Sequence, residues 1–134
     1  DLLTEAEYRE FGRPFDLQIL QATEGMWFRL IHLHGVNVMF DMAADYPAEL
    51  VNWHDTETPP SLAEAMARTS KALCGGLRQW ETMLRGTPES IRAETDAALV
   101  ATGGKRFVLG TGCVTPITAP TANLLAARRA VEQR

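Results

Sequence analysis

Apolar residues along this chain fall into short runs broken by glycine, proline and polar capping residues. Four runs, WFRLIHLHG, AELVNWHD, KALCGG and RFVLGTGC, have the length and apolar content of buried strands. Between them the apolar spacing becomes helical. TEAEYREFG opens the chain as a polar helix, and Pro14 starts a second, PFDLQILQATE, which Gly25 closes. VNVMFDMAADY reads as a helix that ends at Pro47. PPSLAEAMART places Ser61 and Glu64 at capping-box spacing, so a helix begins there. RQWETMLRG is helical in pattern. TPESIRAETDAALVATGG has Thr87 as N-cap, Pro88 at the first helical position and Gly103 past the end. PTANLLAARRAVEQR is the closing helix. No internal repeat or low-complexity segment interrupts the series.

Strand followed by helix, four times over, predicts a parallel sheet with helical crossovers. Two architectures meet that pattern: a small doubly wound domain, or half of a (β/α)8 barrel, whose whole needs roughly 250 residues. Glycine-rich phosphate fingerprints are absent, since Gly103 and Gly104 in TGGKRF precede a strand instead of joining strand to helix.

Strand periodicity then sorts the chemistry. Residues i and i+2 share a face, so His32 and His34 point the same way at the carboxyl end of the first strand. Asn52 and His54 do so at the end of the second, and Cys113 ends the fourth. All three histidines thus fall where parallel α/β folds place their active groups. The histidine pair has two readings, metal or substrate contact and a hydrogen-bonded interior. Cys113 is either a ligand or a small buried hydrophobe. His54 either acts at the site or forms a loop pair with Asp55. Asn52 either holds a substrate carboxylate or caps a loop. Gly75 and Gly76 either admit a ligand to the backbone or make a tight turn. Cys74 is expected in the core, and Trp27, Trp53 and Trp80 in packing roles.

Composition narrows the partners. With 134 residues, 46% of them hydrophobic and 22% charged, the chain can form one core. A formal charge of −4 argues against nucleic acid and anionic membranes. No run approaches the roughly 18 apolar residues of a membrane span. No signal-peptide pattern is visible at the start, which is Asp1 rather than Met. Two cysteines make no disulfide framework, so a reducing cytoplasm is expected.

Three segments, VNWHDTETPPSLAEA, LRGTPESIRAETDAAL and above all GCVTPITAPTANLLAARRAV, resemble the C-terminal half of the uroporphyrinogen decarboxylase family. The likeness runs from about Tyr8 to the end. That superfamily also contains zinc-dependent methyltransferases acting with corrinoid proteins and thiols. The resemblance implies a (β/α)8 barrel of which residues 1–134 are one partial domain: leading helices over 1–25, then the last four βα units over 26–134. Its inner face would carry residues such as Phe28, Leu30 and Leu109.

Two activities follow from the likeness. The first is cofactor-free decarboxylation of the acetate side chains of a porphyrinogen in tetrapyrrole biosynthesis. His32, His54 and Cys113 would then be catalytic, with His32 or His54 donating the proton, and Asn52, Gly75 and Gly76 would bind substrate. The second is transfer of a methyl group between a corrinoid carrier and a thiol, with zinc held by His32, His34 and Cys113. Cys113 stands where decarboxylases carry a histidine and methyltransferases a zinc-binding cysteine. His34 stands where the methyltransferases carry a second thiolate. A third possibility is an inactive interaction fragment that needs the N-terminal half. Expected partners are a small-molecule substrate, porphyrinogen or methyl donor, and a second copy or the N-terminal half to cover the open face.

Overall fold

A computed structural model describes residues 2–132. Two helices, α1 (Glu5–Phe11) and α2 (Arg13–Ala22), precede the strands β1 (Leu30–His32), β2 (Leu50–Asn52), β3 (Ala72–Leu77) and β4 (Phe107–Thr111). The strands pair in sequence order and all in parallel. The intervening and final helices are α3 (Phe40–Ala44), α4 (Leu62–Arg68), α5 (Pro88–Thr102) and α6 (Thr121–Glu132), with a π-helix over Gln79–Leu84. This is an α/β fold of four βα units, part of a (β/α)8 barrel.

Local chemistry sets several boundaries. Ser61 accepts from the Glu64 amide while Glu64 reaches back to Ser61, and Thr87 caps α5 in the same reciprocal way with Ser90. Gly103 ends α5 at φ 62°, a left-handed conformation that a Cβ disfavours. Other boundaries differ from the sequence expectation. The first strand is confined to Leu30–His32, paired with Leu50–Asn52 of β2. The helix expected over VNVMFDMAADY contracts to Phe40–Ala44. RQWETMLRG winds as a π-helix, whose wide turn buries Gln79, Thr82 and Met83. Asn123 of α6 fastens that turn by donating to the Met83 and Gly86 carbonyls at 3.1 and 2.9 Å.

One face of the sheet is covered. Val51, Trp53 and Leu73 pack with Phe40, Leu62, Ala65 and Ala98 from α3, α4 and α5. Leu77, Met83 and Ile91 form a second cluster, against which Leu109 and α6 residues Ala126 and Ala127 pack. Leu109 therefore lies on the helix side, not on the inner face expected for it. Trp53 is fully buried and donates from Nε1 to the Pro60 carbonyl at 2.8 Å, whereas Trp27 is 91% exposed and packs nothing into the core. Asp16 Oδ2 accepts at 2.7 Å from Tyr8, which joins α1 to α2, and from Tyr46, which ties both to the turn after α3.

The other face carries the register row His32, Asn52, Cys74 and Val108. At the sheet edges this face is open, with Leu30 50% and Val108 46% exposed. Among the described residues, no helix is long and apolar enough to cross a membrane.

Candidate metal centre

The carboxyl ends of β1, β2 and β4 converge on one point of the open face. One ligand atom from each of His32, His34, His54 and Cys113 lies within 4.8 Å of the other three. The imidazole centroids are 5.9 Å apart for His32 and His34, 6.3 Å for His32 and His54, and 5.2 Å for His34 and His54. Cys113 Sγ stands 3.8 Å from His34 Nδ1. Sequence position alone does not bring Cys113 here. Gly112 does, because an added Cβ would stand 2.7 Å from His54 Cα and 3.0 Å from the Trp53 carbonyl oxygen. With no side chain there, the turn after β4 lies directly on the loop after β2. Thr111 Oγ1 then donates to the Cys113 carbonyl and fixes that turn.

Each histidine has a distinct setting. His54 is 12% exposed, with Nδ1 3.3 Å from Glu57 Oε2, while its Nε2 is buried and has no hydrogen-bond partner. A buried imidazole nitrogen without a partner is costly unless something binds it. His32 Nδ1 is 2.7 Å from Asn52 Oδ1. His34 projects beyond the strand toward solvent.

The donor set fits zinc. Three imidazoles and one thiolate are the ligand types that ion prefers, and four such atoms around one zinc stand about 3.5 Å apart. Closing from 4.8 Å to that spacing needs shifts on the order of 1 Å, within reach of side-chain rotation. The orphaned His54 Nε2 is the specific sign of fit. His54, expected from the sequence as a catalytic group, stands in the same cluster as His32, His34 and Cys113.

Three sequence expectations are redirected. Asn52 is 7% exposed, and its amide donates to the Cys74 and Thr111 carbonyls at 2.9 and 3.1 Å while its oxygen faces His32. Its amide thus bridges neighbouring strands within the chain. Gly75 does not leave room for a ligand, because its Cβ would stand 2.1 Å from Asp55 Oδ1. At Gly76 the space belongs to Ala98, whose Cβ would be 2.7 Å away.

Asp55 itself points away from the histidines. Both of its carboxylate oxygens accept from the Gly76 amide at 3.1 Å, and burial raises its pKa to about 6. It is no partner of His54; Glu57, three residues on, takes that place. The sequence contained both signals, the Gly-Gly pair opposite a carboxylate and the His-x-x-Glu spacing across one turn. Cys74 is held as a thiol by burial, which raises its pKa to about 11. That leaves Cys113 as the cysteine of the site.

A cavity of about 390 Å³ adjoins the cluster, bounded by His32, His34, Leu33, Met39, Met42 and Tyr46 among others. Among the described residues, no Asp, Glu, Lys or Arg lines it.

Four βα units of a barrel thus carry at the carboxyl edge of the sheet a histidine–cysteine cluster that could hold a metal ion. A sequence profile described as uroporphyrinogen decarboxylase (URO-D) matches residues 1–134, and the chain belongs to that family. No curated protein matches it. Among solved structures, a methyltransferase from Methanosarcina mazei is similar at a TM-score of 0.82 and 23% identity, over 99% of this chain. The chain spans 38% of the length of that protein.

Proposed function

We propose that this chain carries the zinc-binding, thiol-activating part of an enzyme that moves a methyl group onto a thiol. One observation carries the reading: His32, His34, His54 and Cys113 converge within 4.8 Å, with His54 Nε2 buried and unpartnered. Zinc held by three of these groups would keep a fourth position open, where it would lower the pKa of an incoming thiol and make it a nucleophile. The remaining work falls to the chain. Asn52 and Glu57 orient two of the imidazoles from behind. The adjoining cavity, lined by Leu33, Met39, Met42 and Tyr46, takes the body of the acceptor, which sets its class as a small thiol with a largely apolar body. In the transfer, sulfur bonds to the methyl carbon as the bond to the methyl carrier breaks. The carrier keeps the bonding pair and the thiol proton leaves to solvent. A corrinoid protein, docked over the open face, is the proposed carrier, and a reducing cytoplasm would keep Cys113 as thiolate or thiol.

Decarboxylation of a porphyrinogen, placed first from the sequence, draws on the family description. The cluster offers it a proton-donating imidazole. Methyl transfer is ranked first because three imidazoles and a thiol are donors of the kind zinc takes.

Metal analysis of the purified protein tests this. About one zinc per chain is expected, and His32→Ala or Cys113→Ser should each abolish it. Stoichiometric zinc surviving both changes refutes the site. Porphyrinogen decarboxylation by zinc-free protein would restore the other order. Activity appearing only after addition of the N-terminal part of the barrel would identify the chain as an incomplete fragment.

A further inference from the structure

We infer that Asn52 is a positioning residue that fixes His32 as the Nδ1–H tautomer and thereby presents the Nε2 lone pair to the cluster. The inference rests on the metal reading above only for what Nε2 binds, not for the tautomer itself.

The hydrogen bonds determine the proton's place by elimination. Asn52 Nδ2 lies 2.9 Å from the Cys74 carbonyl oxygen and 3.1 Å from that of Thr111. Carbonyl oxygens accept and cannot donate, so the NH2 group of the amide must face them. Asn52 Oδ1 is thereby turned toward β1, where it meets His32 Nδ1 at 2.7 Å. Amide oxygen also only accepts. His32 Nδ1 must therefore carry a hydrogen, and in the neutral ring Nε2 is then the acceptor.

The fold makes this arrangement stiff. His32, Asn52 and Cys74 share one register row, so the three linked groups sit on adjacent parallel strands. Asn52 also reaches past β3 to the carboxyl end of β4, tying together the strand ends that deliver His32 and Cys113. At 7% exposure it has little water to compete for these bonds. An unconstrained neutral imidazole in water favours the Nε2–H form, so the opposite tautomer is a signature of the bond. Partners of this kind typically contribute about 10–100-fold to metal affinity.

The test uses metal-free protein, with long-range ¹H–¹⁵N spectra of the imidazoles recorded at pH 8.5. His32 is expected as Nδ1–H in the wild type. Asn52→Asp keeps an acceptor facing Nδ1 and should keep the hydrogen there, whereas Asn52→Leu should release His32 to the solution preference. Zinc affinity should fall about 10–100-fold in Asn52→Leu and much less in Asn52→Asp. His32 found as Nε2–H in the wild type, or unchanged in a folded Asn52→Leu protein, overturns the inference. If Asn52→Leu does not fold, the wild-type and Asn52→Asp spectra decide it. The expected tautomer in protein that binds no zinc refutes the metal reading and leaves the positioning role standing.

Discussion

Gly112→Ala would separate the fold from the metal site. The added Cβ would stand 2.7 Å from His54 Cα, 3.0 Å from the Trp53 carbonyl oxygen and 3.4 Å from the His54 amide nitrogen. Unbonded carbons rest about 3.5–4.0 Å apart, so the closest contact is short by roughly 1 Å. All three atoms are backbone, and no rotamer change relieves them. The turn after β4 must move off the loop after β2. Overpacking of this kind costs about 1–3 kcal/mol. The same movement carries Cys113 away from His54 and His34. Metal–ligand distances tolerate only about 0.2 Å, so zinc affinity should fall by about 10–100-fold or more. The control is Gly103→Ala, at the end of α5, where φ is +62° and no atom lies within 4 Å of the added Cβ. It should cost roughly 1–2 kcal/mol through backbone conformation alone and leave zinc affinity unchanged. Urea unfolding and competitive zinc titration measure both quantities. A Gly112→Ala protein with wild-type zinc affinity would show that the close approach of the two loops does not build the site.

Asp55 predicts a pH dependence of stability. Its pKa rises from 3.8 to about 6 on folding, so the folded state holds the proton longer, and the stability this group confers is full below about pH 4 and lost as pH rises to about 6. The loss is on the order of 3 kcal/mol. Asp55→Asn keeps an oxygen for the Gly76 amide and should remove that slope. Unfolding of both proteins between pH 4 and pH 7 gives the difference curve, and a flat curve refutes the assignment. The open inner face, with Leu30 and Val108 about half exposed, predicts association with a second copy or with the segment that completes the barrel. Light scattering at micromolar concentration should show more than one chain; a stable monomer with that face in solvent would refute the expectation.

The sequence by itself determined the order of elements and the edge at which the chemistry collects. Short apolar runs, the caps at Ser61 and Thr87 and the stop at Gly103 are local signals, and local backbone energetics decide them. The period of two likewise set His32 and His34 on one side. Tertiary structure decided how these side chains come together. His54 enters the cluster because Gly112 lets two loops touch, a contact between residues almost 60 positions apart that no periodicity encodes. Asn52 became a bridge between strands because its partners, Cys74 and Thr111, are neighbours only once the sheet has formed. Gly75 and Gly76 look like an opening in the sequence, but Asp55 and Ala98 fill it. Burial likewise moved Leu109 to the helix side and left Trp27 in solvent, since which face is covered depends on where α5 and α6 pack. The physical reason is common to all of these. Propensity and pattern act within a few residues, whereas a site built from the ends of several strands depends on contacts that exist only after the strands have paired.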